Sequence, residues 1–363
     1  MRGRNIALAA VVAAALASAL TVAGVGSAKH GASPFKVAFI YVGPHNDGGW
    51  SQAHEAGRQY VDKMLGSKIS TTYKENIAVG SQFDQTVSSL VGQGYKMIFA
   101  TSYGYVDAKE AAKYPNVIFE QATGTDLSKN LGEYFGAGED TEYLAGMTAG
   151  AASKTGKIGL VVAFPIPEVI RHTDAFTLGA QATHPGATVR IVWTNSWYNP
   201  TKEKQAAESL VTAGADVLGQ NVDSTATGQV AKEHNIPWVG YDSNSASFAP
   251  KSWLTAAVYD WGPYYLKQIK AAMAGTWKSG FYYGTIKDGF TGLAPYGPGV
   301  SAKTKAAIAA KMKALSNGSF DEFAGPITDQ NGKVVVPKGT KLTVTQLYAV
   351  DWLAKGVIGS PKG

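Results

Sequence analysis

The sequence predicts an α/β protein built as two doubly wound lobes that face each other across a hinge. Three observations carry that reading. Short, continuous apolar runs alternate with amphipathic helical patterns, the arrangement of parallel sheets covered by helices on both faces. The alternation pauses near Gly136-Ala137-Gly138 and resumes with a long helix. The chain has 363 residues, too many for one ordinary core.

The elements follow in order. The run KVAFIYV at 36–42 is β-rich and stops at Gly43-Pro44, after which Ala53, Gly57, Tyr60, Val61, Met64 and Leu65 recur at helical spacing. Further apolar runs lie at 97–101, 117–120, 158–164, 189–193, 216–218 and 237–241. Helical patterns at 82–92, 142–152, 169–182, 202–213 and 225–234 separate them. Lobe one is expected over 35–138 plus a segment beginning near Gly262, and lobe two over 139–261 plus part of the C-terminal region. Open α/β sheets bind ligands beyond the carboxyl ends of their strands, so two such lobes enclose a cleft lined by strand-end residues.

Ahead of the lobes, residues 1–28 read as a secretory signal peptide. Arg2 and Arg4 precede an apolar run over 6–25, and Gly26-Ser27-Ala28 supplies small residues for cleavage. The run is also long enough for a membrane anchor, but its small-residue end and the polar stretch over 29–33 favour cleavage. A periplasmic or secreted protein is expected. The chain has no cysteine, which excludes disulfides, thiolate catalysis, Cys-based zinc sites and a lipid-modified N-terminal Cys. The formal charge of +6 loses Arg2 and Arg4 on cleavage, and no Lys/Arg run or basic stripe remains to hold nucleic acid.

Aromatic residues gather at the predicted strand ends. After the first strand comes Asp47-Gly48-Gly49-Trp50-Ser51-Gln52, which opens a helix whose backbone N–H groups two glycines leave accessible to a ligand. Spacing alone leaves Trp50 either in the cleft or in the core. Ser102-Tyr103-Gly104-Tyr105 repeats the glycine–aromatic theme, Asn195-Ser196-Trp197-Tyr198 follows another strand, and Asp242 and Tyr259-Asp260-Trp261 end two more. Two facing aromatics can hold a planar ring between them, while a carboxylate such as Asp242 accepts ring N–H groups. The candidate site is therefore Gly48, Gly49, Trp50, Ser51, Tyr103, Gly104, Asn195, Ser196, Trp197, Asp242, Tyr259 and Trp261.

At these residues the chain resembles a known family. KVAFIYVGPHNDGGWSQAHEAG at 36–57 is similar to the start of the basic membrane protein family of ABC-transporter substrate-binding proteins. TSYGY, FPIPEV, NSWYNP, DSTA, DWGPYY and FAGPITDQNG extend the likeness over nearly all of the mature chain. The resemblance implies a periplasmic-binding-protein-like fold (type I), a hinge crossed three times, a purine ligand, a membrane permease as partner, a monomeric state and no cofactor. It implies stacking roles for Trp50 and Trp197 and a ribose-holding role for Asp242. Ser51 replaces an Asn common in the family, and 255–261 lacks the lysine that nucleoside binders place near the sugar, with Tyr259 or Trp261 there instead. These departures, and GGW at 48–50 in place of SFN, point to a free base such as adenine or hypoxanthine rather than a nucleoside. A nucleoside receptor and a ligand sensor for a membrane receptor are the alternatives.

An enzyme is the reading from another class, and no catalytic set emerges. His45 and Asp47 share a loop, but Asp47 is more simply a helix cap. Asp223-Ser224-Thr225 lacks a nucleophile elbow. Glu139, Asp140 and Glu142 read as an acidic first helical turn. There is neither an Asp-rich calcium loop nor a Walker pattern. A repressor on the same lobes would need an N-terminal helix-turn-helix where the signal peptide stands.

Overall fold

The computed structural model describes residues 33–363; the segment read as a signal peptide lies outside the described residues. The first part of the chain runs β1 (Phe35–Ile40), α1 (Trp50–Leu65), β2 (Ile69–Lys74), α2 (Ser81–Gly92), β3 (Met97–Ala100), α3 (Ala108–Ala111), β4 (Ile118–Ala122) and β5 (Leu131–Gly136). It continues through α4 (Gly138–Ala152), β6 (Lys157–Val162), α5 (Pro167–Thr183), β7 (Thr188–Trp193), α6 (Pro200–Thr212), β8 (Val217–Asn221), α7 (Ala226–Glu233), β9 (Trp238–Asp242) and β10 (Trp253–Tyr259). The last part is α8 (Trp261–Met273), β11 (Phe281–Gly284), β12 (Thr291–Leu293), α9 (Ala302–Ser316), β13 (Ile327–Thr328), β14 (Val334–Val336), α10 (Val344–Leu347) and β15 (Val357–Ile358).

Two sheets result. One has the order β11-β5-β4-β3-β1-β2 and is parallel throughout. The other has the order β12-β10-β9-β8-β6-β7-β15, parallel except where β12 returns against β10. Strands such as MIFA of β3 and VLGQN of β8 are buried at every residue, as strands covered on both faces must be. The strand order reverses at β1 in the first sheet and at β6 in the second, so the crevices lie beyond the carboxyl ends of β1 and β3, and of β6 and β8. No helix among the described residues is long and apolar enough to cross a membrane.

Three segments pass between the sheets: β5 into α4, β10 into α8, and β11 into β12. They are tied to one another, because Ala137 N donates to Gly284 O at 2.8 Å and Asp260 N donates to Phe290 O at 2.8 Å. The Phe290 ring fills the junction. A Cβ on Gly136 would lie 2.7 Å from that ring, and one on Gly284 would overlap it. Glycine is required at both positions by close approach rather than by an unusual dihedral.

Gly284→Ala should therefore destabilise the protein by about 1–3 kcal/mol, the usual cost of overpacking a filled site. The double variant Gly284→Ala/Phe290→Leu should recover part of that loss. Urea denaturation checks this; a double variant no more stable than Gly284→Ala would place the cost elsewhere.

Candidate functional site

Residues from both crevices meet around one cavity of about 280 Å³, counted with its mouth. Val42, Trp50, Ser102, Tyr103 and Thr123 come from the first sheet's loops, and Glu168, Trp197, Asp223 and Tyr241 from the second. Val42 follows β1, Ser102 and Tyr103 follow β3, and Glu168, Trp197 and Asp223 follow β6, β7 and β8. All are strand-end positions, where the fold class puts its ligand contacts.

Trp50 belongs to both alternatives left open by spacing. It is buried in the aromatic core of the first sheet and also lines the cavity. Its Nε1 donates to Thr101 O at 2.5 Å. His54 and Trp261 pack on it at 4.5 and 5.3 Å between ring centroids, both nearly perpendicular. Behind them Trp261 stacks on Tyr259 at 4.7 Å and on His54 at 4.4 Å. These contacts fix the indole before any ligand arrives, so it serves as a preorganised wall. Burial holds the His54 pKa well below its ordinary value, so the ring is neutral. Across the cavity, Trp197 packs edgewise on Phe164 at 5.3 Å, and its carbonyl accepts Asp223 N at 2.9 Å.

The glycine loop does something the sequence did not disclose. Ser243 Oγ donates to Gly49 O at 2.6 Å and Ser245 Oγ donates to Gly48 O at 2.5 Å. A Cβ on Gly49 would sit 2.7 Å from Asp223 O, and one on Gly48 would sit 2.5 Å from Thr225 Cγ2. The two glycines therefore let loops of opposite sheets touch. Asp47 shapes the loop, accepting Gly49 N at 2.9 Å, Ser51 N at 2.9 Å and Gln52 N at 3.0 Å. Its carboxyl thus engages the first turn of α1 from two residues ahead of the N-cap, which is Gly49 and not Asp47 as expected. Ser51 Oγ turns inward to accept Gly43 N at 3.1 Å.

The remaining sequence candidates are placed as follows. Asp242 ends β9, buried and with φ at 57°, and lines a separate opening beside α1 together with Tyr259 and Trp261. Gly104 borders an exposed groove with Val79 and Asp107, and Asn195 and Ser196 form the turn after β7, where Thr194 Oγ1 donates to Ser196 O at 2.8 Å. Trp50, Tyr103 and Trp197 are brought to one cavity; Tyr259 and Trp261 pack behind Trp50, and Asp242, whose carboxyl oxygens have no hydrogen-bond partner among the described residues, lines the neighbouring opening. His45 pairs with Glu75 at 2.8 Å and not with Asp47. Glu142, read with Glu139 and Asp140 as an acidic first helical turn, lies beyond the first turn of α4 and is buried, its Oε1 without a partner among the described residues.

Asp223 and Glu168 line the cavity but were not among the sequence candidates. Asp223 is 1% exposed, and neither of its carboxyl oxygens has a hydrogen-bond partner among the described residues. Burial, and then the charges of Asp47, Asp242, Glu203 and Glu168, push its pKa well up. Burial pushes Glu168 up to about 7 against the pull of Arg171. Asp242 is likewise raised, by burial first and by Glu142 and Glu168 next. Glu203 positions Asp223 through its neighbour, accepting Ser224 N at 3.1 Å. The cavity thus presents carboxyls at the ends of β6 and β8 that accept from a ligand N–H or O–H and, when protonated, also donate.

Comparison with known proteins agrees with this architecture. Residues 35–319 match the Bmp family, described as ABC transporter substrate-binding protein PnrA-like. The purine-binding protein BAB2_0673 of Brucella abortus is 38% identical over 341 residues, 93% of this chain and 97% of that protein. The putative ABC transporter glucose-binding protein TsgA13 of Haloferax volcanii is 34% identical, covering 79% of this chain and 74% of its own. A solved ABC transporter solute-binding protein from Aeropyrum pernix superposes with a TM-score of 0.70 at 16% identity, covering 79% of this chain and 93% of that one.

The raised carboxyls make stability depend on pH. The ordinary Glu pKa is about 4.3, and Glu168 titrates at about 7 in the folded state. The folded state therefore binds more protons in that window, so this contribution to stability is complete below about pH 4 and is lost as pH rises through about 7. Thermal unfolding of the ligand-free protein should show Tm falling from pH 5 to pH 7.5, and falling less in Glu168→Gln. Equal falls in both proteins would remove Glu168 as a source.

Proposed function

Because the chain belongs to the Bmp family of ABC transporter substrate-binding proteins, we propose that it captures a purine, as the free base, between Trp50 and Trp197 and hands it to a membrane permease. The observation that carries this reading is the pairing of a fixed indole from one sheet with a second indole and an unpartnered buried carboxyl from the other. A planar heterocycle fits that set: its faces meet the indoles and its N–H edge meets Asp223. The name of the Brucella relative supports the ligand class. Receptors of ABC importers work outside the cytoplasm, in keeping with the signal-peptide pattern at 1–28.

The free base is favoured by polar pairing. A ribose would need partners for its hydroxyls, each costing about 1–3 kcal/mol if buried unpaired. The likeness to a putative glucose-binding protein favours a second reading, in which the carboxyls accept sugar hydroxyls.

Competition titration on ligand-stripped protein should find a purine base at least about tenfold tighter than its nucleoside, or about 1.4 kcal/mol; equal or tighter nucleoside binding would sink the free-base reading. By calorimetry, Trp50→Ala and Trp197→Ala should each weaken binding by roughly 2–4 kcal/mol while the fold survives. Unchanged affinity in both would return the tryptophans to a packing role, and glucose binding without purine binding would select the second reading.

A further inference from the structure

A second cavity, of about 520 Å³ with its mouth, adjoins the first and shares Tyr103, Thr123 and Glu168 with it. Arg171 and Tyr348 line it as well. Arg171 is 1% exposed, on α5. Its Nε donates to Glu139 at 3.2 Å, and its guanidinium carbon lies 4.9 Å from the centre of the Tyr348 ring and 5.5 Å from that of Phe135. Glu139 is itself engaged by the Tyr283 hydroxyl. Nη1 and Nη2 of Arg171 have no hydrogen-bond partner among the described residues, and neither do the hydroxyls of Tyr348 and Thr123. Thr123 is held at φ 66°, an uncommon conformation for a β-branched residue.

A guanidinium stays charged, offers donors only, and presents them as a planar fork suited to two neighbouring acceptors. The O6/N7 edge of a 6-oxopurine is such a pair. The same edge of a 6-aminopurine offers one acceptor and one N–H donor, which would face donor to donor. The acids on the β8 side supply the complementary acceptors. We propose that the terminal nitrogens of Arg171 read the O6/N7 edge of the ligand, so that the receptor selects 6-oxopurines over 6-aminopurines. The inference rests on the purine reading above and names the subclass and the residue that sets it.

The test is calorimetric titration of the ligand-stripped chain with hypoxanthine, adenine and inosine monophosphate, for wild type, Arg171→Gln and Arg171→Lys, with circular dichroism as the folding control. Wild type should bind hypoxanthine about tenfold or more tighter than adenine, the discrimination of one bidentate pair. Arg171→Gln should lose about tenfold for hypoxanthine while adenine changes by less than about threefold, and Arg171→Lys, which keeps the charge without the fork, should fall between. If Arg171→Gln fails to fold, the wild-type ratio and Arg171→Lys decide. Adenine binding as tightly as hypoxanthine, equal losses for both bases in a folded variant, or a monophosphate tighter than the base would overturn the assignment and leave the purine reading standing. Failure of wild type to bind any purine would overturn both.

Discussion

Two backbone carbonyls hold the site together. Gly48 O and Gly49 O accept the hydroxyls of Ser245 and Ser243 across the gap between the two sheets, and the missing side chains at 48 and 49 let the loop rest on Asp223 and Thr225. That contact brings the first turn of α1, and with it Trp50, opposite the ends of β7 and β8. Replace Gly49 and the loops must part, because the atoms in its way are backbone, whereas at Gly48 the obstacle is the Thr225 side chain and the φ of 94° favours glycine. The three segments joining the sheets, packed around Phe290, set the axis about which the halves meet.

The two halves bring different chemistry to that contact. The first sheet supplies an indole whose orientation is fixed by an aromatic stack reaching back through Trp261, His54 and Tyr265. The second supplies acids: Asp223 and Glu168 at the cavity, with Asp242 and Glu142 behind them. Several carboxyls taken out of water without partners are costly when ionised, which is why their titration is pushed upward. A ligand that donates hydrogen bonds relieves that cost, and closure of the cleft over such a ligand is favoured for the same reason. Arg171 and its unpartnered terminal nitrogens add the opposite polarity a short way along the same cleft.

Much of this was legible in the sequence, and the exceptions have physical causes. The continuous apolar strands β1, β3, β4, β6, β8 and β9 announce themselves because burial on both faces forbids alternation, while β7 keeps an apolar run despite its exposed Arg190. The edge strand β2, ISTTYK, has only Ile69 fully buried and so carries no apolar run. β5, LGEYFG, is wholly buried but contains Glu133, whose carboxyl is pushed up to about 9 by burial, and two glycines, so it reads as a loop. Trp50 and Trp197 were found by their place after a strand. Asp223 obeys the same rule, yet it sits in a polar NVDSTAT stretch that resembles an ordinary turn. Asp242 ends a strand as well, with a φ of 57°, yet it lines the neighbouring opening beside α1 and not the first cavity. Strand-end position is visible in one dimension; which side of a wall the side chain takes is not.

On this reading the fixed Trp50 indole, the Trp197 indole and the buried carboxyl of Asp223, without a partner among the described residues, form a purine site. Mass spectrometry of the small molecules released by denaturing freshly purified protein tests it most directly. A purine base should be released in near-stoichiometric amount from the wild type and be absent from a folded Trp50→Ala/Trp197→Ala variant. A sugar released in that amount, or a purine retained equally by the double variant, would contradict it.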